Sequence, residues 1–552
     1  MDDIQLIINV VLVILVIVLI IILCVQATRT WNVSGTYDFI VVGAGTSGCI
    51  MSYELAKAGY EVLVIEKGGD DSENPLTTNP LNASGLPRYH INEFFSGLGH
   101  TKVTPSPERV FPYVGGQTFG GGSTINGMQY VRGGSEFWNN WAAEVGDDRW
   151  NSSNVNRAYD DMFLGTNPLI KTRSSSADIK LSQLFTNSCA NVIGTTYQPL
   201  YNDPNEPEVG NYNDYSLFQN PTTYDRESAY TATLKDNIES KQKDVYTGIS
   251  TGQTPKITIV SNVSVLKVIF DDGKVPCAKG VSVQKHGHSV VYHAKKKVIL
   301  SAGFQSSLIL EQSGIGNKTK LQHVGVNCIV DNPEVGENSY NHTLFLISGL
   351  VPGTPVEPTD PKALYIGGSF FSTTTGEPEK RDHQLICIYT PVTGVGNVFT
   401  VIGQPLQPEQ KGSVHIQSRD PSHLPDYRVN YFSDSEPNNI DLVQASKMCK
   451  AMYDVLVDMG TTITDPDAIE LLDGSDETKH KEYVLKHYGQ SYHYTSTCRM
   501  GDVVDGSGNV IGVKNLVVSD ASICRRVPTG NTAAPAMVIG KILSESIIAE
   551  YQ

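Results

Sequence analysis

An α/β protein with a doubly wound, mostly parallel sheet at its centre is predicted by three observations. A short apolar run, Tyr37-Asp38-Phe39-Ile40-Val41-Val42, is closed by glycine, as a buried parallel strand is. The string Gly43-Ala44-Gly45-Thr46-Ser47-Gly48 follows it and opens a segment, 47–59, with Ile50, Leu55 and Ala58 available for one helix face. A second apolar run, Tyr60 to Glu66, then ends in an acid. Strand, turn, helix and strand form the first unit of a Rossmann-type sheet. Each glycine of the turn has a mechanical reason. The first allows the tight turn, the second lets the backbone approach a pyrophosphate, and the third lets helix and strand pack closely. Amides at the helix N-terminus then face the phosphate. Glu66 is placed to accept hydrogen bonds from both ribose hydroxyls and would repel a 2′-phosphate. In this context the string signals a dinucleotide, without choosing between FAD and NAD.

The chain has 552 residues, too many for one compact core and suited to two or three domains. Hydrophobic residues make up 40% and charged residues 18%, a balance that argues against long disordered stretches. A net charge of -16, with no Lys/Arg cluster, argues against nucleic acid as a partner. Lys295-Lys296-Lys297 precedes an apolar run and reads as a solvated strand entry. Residues 6–25 stand apart: nearly all are Ile, Val or Leu, and none is charged. About twenty such residues span a bilayer. The same run fits a signal-peptide core, with Val25-Gln26-Ala27 as a cleavage site. Asp2 and Asp3 are atypical flanks for both, and the two readings stay open. Sequons begin at Asn32, Asn82, Asn151, Asn262, Asn317 and Asn341. With the leader they favour the secretory pathway, the catalytic part being secreted or anchored through residues 6–25 alone. The nine cysteines show no paired metal spacing; one or two disulfides fit an oxidising compartment.

Downstream, 69–112 is rich in Pro, Gly, Asn and Ser and reads as an irregular excursion, followed by a glycine-dense stretch at 115–127. From Trp138 to about Leu169 the spacing is near-helical. Lys256 to Phe270 and Gly280 to Leu300 read as strands around a turn at Asp271-Asp272-Gly273. His286-Gly287-His288 reads as a hairpin tip rather than a metal site, since no third ligand is placed nearby. Val392 to Tyr431 alternates like an antiparallel sheet. Asn438 to Met459 reads as an amphipathic helix, and the chain closes on a helix from Ala534 to Ala549.

Four separated segments together resemble the glucose–methanol–choline (GMC) oxidoreductase family. The first is the glycine string. The second is Gly120-Gly121-Gly122-Ser123-Thr124-Ile125-Asn126-Gly127-Met128, continuing to Tyr130-Val131-Arg132-Gly133. The third runs from Leu300-Ser301-Ala302-Gly303 to Ser313-Gly314-Ile315-Gly316. The fourth is Tyr492-His493-Tyr494-Thr495-Ser496-Thr497-Cys498-Arg499-Met500-Gly501, with Val518-Ser519-Asp520-Ala521-Ser522 and Thr529-Gly530-Asn531-Thr532 after it. Val335-Gly336-Glu337-Asn338 near His342, and Pro421 to Tyr431, are smaller echoes.

The resemblance implies bound FAD rather than NAD. It implies a discontinuous Rossmann-type FAD-binding domain over 37–135, 253–345 and 485–552, after a leader and linker at 1–36. It implies an α+β substrate domain over 136–252 and 346–484, with an antiparallel sheet. It also implies residue roles. Gly43, Gly45, Gly48 and Glu66 would hold the ADP half, with Thr46 and Ser47 in the same turn. Asn126 and Gly127 would lie near the isoalloxazine ring, flanked by Gly122, Ser123 and Met128. The Val265 backbone would pair with adenine, and Asp520 and Ala521 would sit by the ribityl and pyrophosphate. Ala302 and Thr532 complete the cofactor candidates. His493 falls on the family's catalytic histidine, and Asn531 on its second catalytic position, which is also counted as a cofactor contact. The chain departs from the pattern at Gln117 and Phe119, in a third segment one residue shorter than usual, and at Ser496, where glycine is customary. Some relatives carry a flavin-linking His where this chain has Ile125, so the FAD is expected to be non-covalent.

Oxidising an alcohol removes a proton from oxygen and a hydride from carbon. The side chain that accepts a proton near neutral pH is histidine, so His493 is the expected base. Asn531 cannot take a proton but can hold the substrate oxygen by donating to it. The expected donor is a small alcohol, aromatic or cyano-substituted ones included, and the acceptor is dioxygen or another carrier. Two other functions fit the same residues: a hydroxynitrile lyase, and a non-catalytic secreted or coat protein. Arg525-Arg526 reads as a solvated surface pair and Cys498 as core. Oligomeric state stays open.

Overall fold

The computed structural model describes residues 35–79, 98–101, 109–175, 179–199, 202, 208–213, 215–252, 254–285, 288–354, 356, 365–433 and 439–552. The apolar leader, the sequons at Asn32 and Asn82, and most of the tip at 286–288 lie outside them.

The expected first unit is present: β1 (Thr36–Val42), α1 (Thr46–Lys57) and β2 (Val62–Ile65). β1 and β2 pair in parallel from Phe39 opposite Val62 to Val42 opposite Ile65. All eight of those side chains are buried, which is why the strands read as unbroken aliphatic runs. Helices α2 (Ser135–Val145) and α3 (Ser152–Phe163) follow. Trp138, Trp141 and Trp150 stack between them, with neighbouring ring centroids 5.4 and 4.8 Å apart. Six more strands extend the sheet: β3 (Ile238–Gln242), β4 (Val245–Thr251), β5 (Thr254–Val260), β6 (Ser264–Phe270), β7 (Ala278–Lys285) and β8 (His288–Leu300). The order is β6-β7-β8-β1-β2-β5-β4-β3, with strand Leu516–Val518 beside β8. Its parallel centre is Leu516–Val518, β8, β1, β2 and β5.

Two features differ from the sequence reading. Lys256 to Phe270 is not one strand, because the chain turns at 261–263, where Asn262 takes φ +57°. Residues 238–251 and the buried side chains of α2 and α3 lie before the boundary expected at 252, yet they belong to this sheet and its core. The reason is local. β4 is the hairpin partner of β5, with Gly248 opposite Ile257, so it can only lengthen the sheet that β5 joins. Within the stretch read as irregular, Leu98–Thr101 and Arg109–Pro112 pair as an antiparallel hairpin.

The second sheet is antiparallel and built on β9 (Thr343–Pro352), β10 (Tyr365–Phe371), β11 (His383–Val392) and β12 (Gly396–Pro405). The order is β9-β12-β11-β10, with short strands at both edges. Helix α4 (Ile440–Asp458) covers one face. It fits closely: a Cβ on Gly403 would lie 2.3 Å from Met452 Sδ. The other face carries Gln384 and Ile386 on β11 and Ile402 and Gln404 on β12, towards the first sheet. The closing helix, α5 (Ala533–Tyr551), packs on α1, and Gly540 permits it: a Cβ there would lie 2.7 Å from the Ser47 carbonyl oxygen. All eight described cysteines are free, so neither of the one or two disulfides that an oxidising compartment would allow is found among the described residues. No helix among them is long and apolar enough to cross a membrane.

Candidate active site

A cavity of about 1360 Å³ opens between the two sheets. Pockets for drug-sized ligands hold ~300–1,000 Å³, so a dinucleotide and a substrate fit together. Its wall brings together Gly43, Gly45, Thr46, Ser47, Glu66, Gly122, Asn126, Gly127, Met128, Val265, Ala302, His493, Asp520, Ala521, Asn531 and Thr532. Of the candidates, Gly48 and Ser123 are not on the wall. Gly48 sits beneath the turn, where a Cβ would lie 2.0 Å from the Gly43 carbonyl oxygen. Ser123 Oγ donates to the Gly120 carbonyl at 2.6 Å and accepts from the Ala229 amide at 3.0 Å, which makes it a loop brace.

The nucleotide end is made from backbone. Gly43 takes φ +100°, a left-handed geometry that suits glycine, to leave β1 and enter α1. At Gly45 the nearest atom to an added Cβ is the Ser301 carbonyl oxygen, 3.5 Å away, so the missing side chain leaves open cradle. Glu66 is 7% exposed; its two carboxylate oxygens accept from the Ala44 and Gly68 amides, each at 2.8 Å. Burial raises its pKa, against the lowering by those amides. A carboxylate has about four lone-pair sites, so capacity remains for ribose hydroxyls. Asp520 Oδ2 accepts from the Gly303 amide at 2.9 Å and Ser306 Oγ at 2.6 Å, and burial raises its pKa to about 6. Glycine cradle, terminal acid and cavity volume together fit FAD.

The reaction end is made from side chains. His493 Nδ1 lies 2.9 Å from His342 Nδ1, and His342 Nε2 lies 3.1 Å from the Leu406 carbonyl oxygen. A carbonyl only accepts, so His342 Nε2–H donates to it, leaving Nδ1 of the neutral ring as an acceptor. His493 therefore donates from Nδ1, and its Nε2 carries a bare lone pair. Burial lowers the pKa of His342 to about 4 and carries that of His493 well below its usual value, the latter lowered further by His342. Both rings are neutral at physiological pH. Asn531 Nδ2 lies 3.5 Å from His493 Nε2. It also donates to Gln129 Oε1 at 2.8 Å, while Asn531 Oδ1 accepts from Gln384 Nε2 at 3.2 Å. Asn341 Oδ1 accepts from the His493 amide at 2.7 Å.

Sequence reasoning did not assign His342, Asn341, Gln129 or Gln384. Asn341 and His342 lie three and four residues after the Gly336-Glu337-Asn338 echo, the one signal that points to them. Asn341 also begins a sequon. It is 5% exposed and its Nδ2 donates to Tyr431 Oη at 2.6 Å, so the folded protein offers no acceptor there. Ser496 takes φ +73°, the conformation that glycine adopts without strain, which explains the customary glycine. Tyr492 at φ +59° and Met128 at φ +64° place two more strained residues on the cavity wall. Arg525 and Arg526 pair with Glu144 and Glu409, and Cys498 is buried.

A dinucleotide cradle meeting an imidazole and a carboxamide fits a flavoprotein oxidoreductase. The N- and C-terminal GMC oxidoreductase family models match residues 37–344 and 408–540. The chain belongs to the GMC oxidoreductase family, and is an FAD-dependent oxidoreductase of the kind that acts on alcohol donors. It is 27% identical to an alcohol dehydrogenase (acceptor) of Pseudomonas putida, over 93% of this chain and 96% of that one. It is 25% identical to a 5-(hydroxymethyl)furfural oxidase of Methylovorus sp. strain MP688, over 93% and 99%. Its fold resembles pyridoxine 4-oxidase from Mesorbium loti, with a TM-score of 0.73 at 19% identity over 92% and 98%.

Proposed function

We propose that the protein oxidises a small neutral alcohol, with His493 as the base and Asn531 as the donor that holds the substrate oxygen. The observation that carries this is the forced tautomer: a neutral imidazole with its Nε2 lone pair 3.5 Å from an amide donor, both on the wall of the dinucleotide cavity. FAD supplies the hydride acceptor when bound. Gly43, Gly45, Thr46, Ser47, Glu66 and the Val265 backbone would hold its adenylate half, and Ala302, Asp520, Ala521 and Thr532 would lie along the remainder. Asn126, Gly127 and Met128 would meet the ring. Ile125 offers no nucleophile, so the flavin would be held without a covalent link.

The substrate hydroxyl donates its proton to His493 Nε2 while Asn531 Nδ2–H holds the oxygen. Gln129 and Gln384 fix the plane of the Asn531 amide, so the donor is oriented before substrate arrives. His342 keeps the proton of neutral His493 on Nδ1. Dioxygen or another carrier takes the electrons afterwards. The acceptor and the alcohol-specific relatives named above agree with this reading.

The test uses the purified full chain. It is expected to be yellow, to be bleached anaerobically by alcohols, and to lose bleaching in His493→Ala with flavin content unchanged. Flavin that stays oxidised across the alcohol panel overturns the proposal, as does cyanide release from mandelonitrile without bleaching. We place the catalytic part in the secretory pathway, with residues 6–25 as signal or anchor. Asn262 is exposed, and Asn151 and Asn317 are half-buried; a glycosidase-sensitive mass shift on the expressed protein is the expected result.

A further inference from the structure

We infer that Gln404 is the second anchor for the substrate, and that the donor is a neutral alcohol carrying another hydroxyl group. This rests on the alcohol-oxidation reading above. Gln404 lies on β12, lines the cavity and is 4% exposed. Its side-chain oxygen Oε1 has no hydrogen-bond partner among the described residues. It stands directly opposite Gln384 in the β11–β12 register. Opposed residues share a face, with Cβ atoms about 4.5–5.5 Å apart. Gln384 in turn holds Asn531, and Asn531 meets His493. The unpartnered oxygen is therefore one cross-strand step from the residue that fixes the Asn531 amide.

Buried polar atoms are nearly always partnered, and one left alone costs free energy. The missing partner comes from what enters the cavity. A hydroxyl answers whichever way the amide is turned, because it donates to Oε1 and accepts from Nε2. The floor beside Gln404 is apolar, with Ile386 and Ile402 opposite each other and Leu344 next to them. The charged groups on the cavity wall are Glu66, Lys67, Arg419, Asp420 and Asp520, all on segments outside the second sheet. A quaternary ammonium or a carboxylate on the substrate would meet no counter-charge at this end. A substrate hydroxyl that reaches Gln404 Oε1 supplies the hydrogen bond that the protein does not.

The test uses the flavin-loaded full chain and two alcohol pairs. The reacting pair is 1,4-benzenedimethanol against 4-methylbenzyl alcohol, with choline and glycolate as charged comparisons. Neither alcohol of the second pair has an α-hydrogen to give: 2,5-dimethylhexane-2,5-diol and 2-methylhexan-2-ol, titrated by flavin absorbance. The expected result is about a ten- to hundredfold preference for the diol in kcat/KM and in Kd. Gln404→Met abolishes it by raising KM for the diol more than KM for the mono-alcohol. Equal binding of diol and mono-alcohol by the unaltered chain overturns the Gln404 assignment without any variant. So does a preference for choline or glycolate, or a Gln404→Met preference equal to that of the unaltered chain. If the tertiary diol binds selectively through Gln404 while no alcohol bleaches the flavin, the anchor stands and the oxidation reading falls.

Discussion

The two ends of the cavity recognise their ligands by different means. At the nucleotide end the contacts come from main chain at turns and from carboxylates held by amides, as at Gly43, Gly45 and Glu66. At the reaction end they come from neutral side chains that fix one another: His342, His493, Asn531, Gln129 and Gln384. A site made of backbone is altered most by adding a Cβ, whereas a site made of a side-chain network is altered by removing any one member. The first should lose flavin, and the second should lose rate while keeping flavin.

The largest effect that separates the two is at the base. His493→Ala is expected to lower the anaerobic rate of flavin reduction by about 10²- to 10⁴-fold, the usual range for a general base, with the visible spectrum retained. If flavin is lost instead, the two ends are not independent. Next in size, Glu66→Gln should weaken flavin binding by roughly tenfold or more, since one charged acceptor of two amides is lost. The flavin that remains should be reduced at the unaltered rate. That is measured by flavin titration of the apoprotein beside stopped-flow reduction.

A smaller effect comes from pH. On the proposed mechanism neutral His493 is the active form, and its pKa is depressed, first by burial and then by His342. The profile of kcat/KM should therefore be flat above the ordinary histidine range and fall only below it, as His493 takes up a proton. His342→Asn removes one depressing cause, so the falling limb should move to higher pH, alongside a loss of about tenfold in rate. An unmoved limb would show that His342 does not act on the base. Smallest of all, Ser496→Gly should stabilise the protein by about 1 kcal/mol by relieving a left-handed residue. Denaturant unfolding measures it, and reduction kinetics should not change.

The difference between the ends also explains what was legible in the sequence. The nucleotide end is local: strand, turn, helix, strand and acid lie within thirty residues, each glycine has a steric reason, and the structure places them as read. The reaction end is assembled from positions as far apart as Gln129 and Asn531, 402 residues distant in the chain. His493 and Asn531 were found because a family pattern marks them. Gln384 meets Asn531, and Gln404 faces the cavity, only because β11 and β12 pair in one register, and a one-residue slip would turn both away. No composition or spacing announces such a register. The division at 252 was read differently because strand pairing of β4 and β5 depends on which sheet the hairpin joins.

Helix α5 carries a consequence for how the molecule is made. It lies C-terminal to everything it touches, and residues 531–533 at its start form part of the cavity wall. Strand Leu516–Val518, which pairs with β8, is equally late. A nascent chain still tethered at this region has its glycine turn but neither the catalytic amide nor the helix that braces α1. The seat for flavin is thus complete only once these late segments have folded, and a chain interrupted before residue 516 would be left with an open sheet edge at the end of β8.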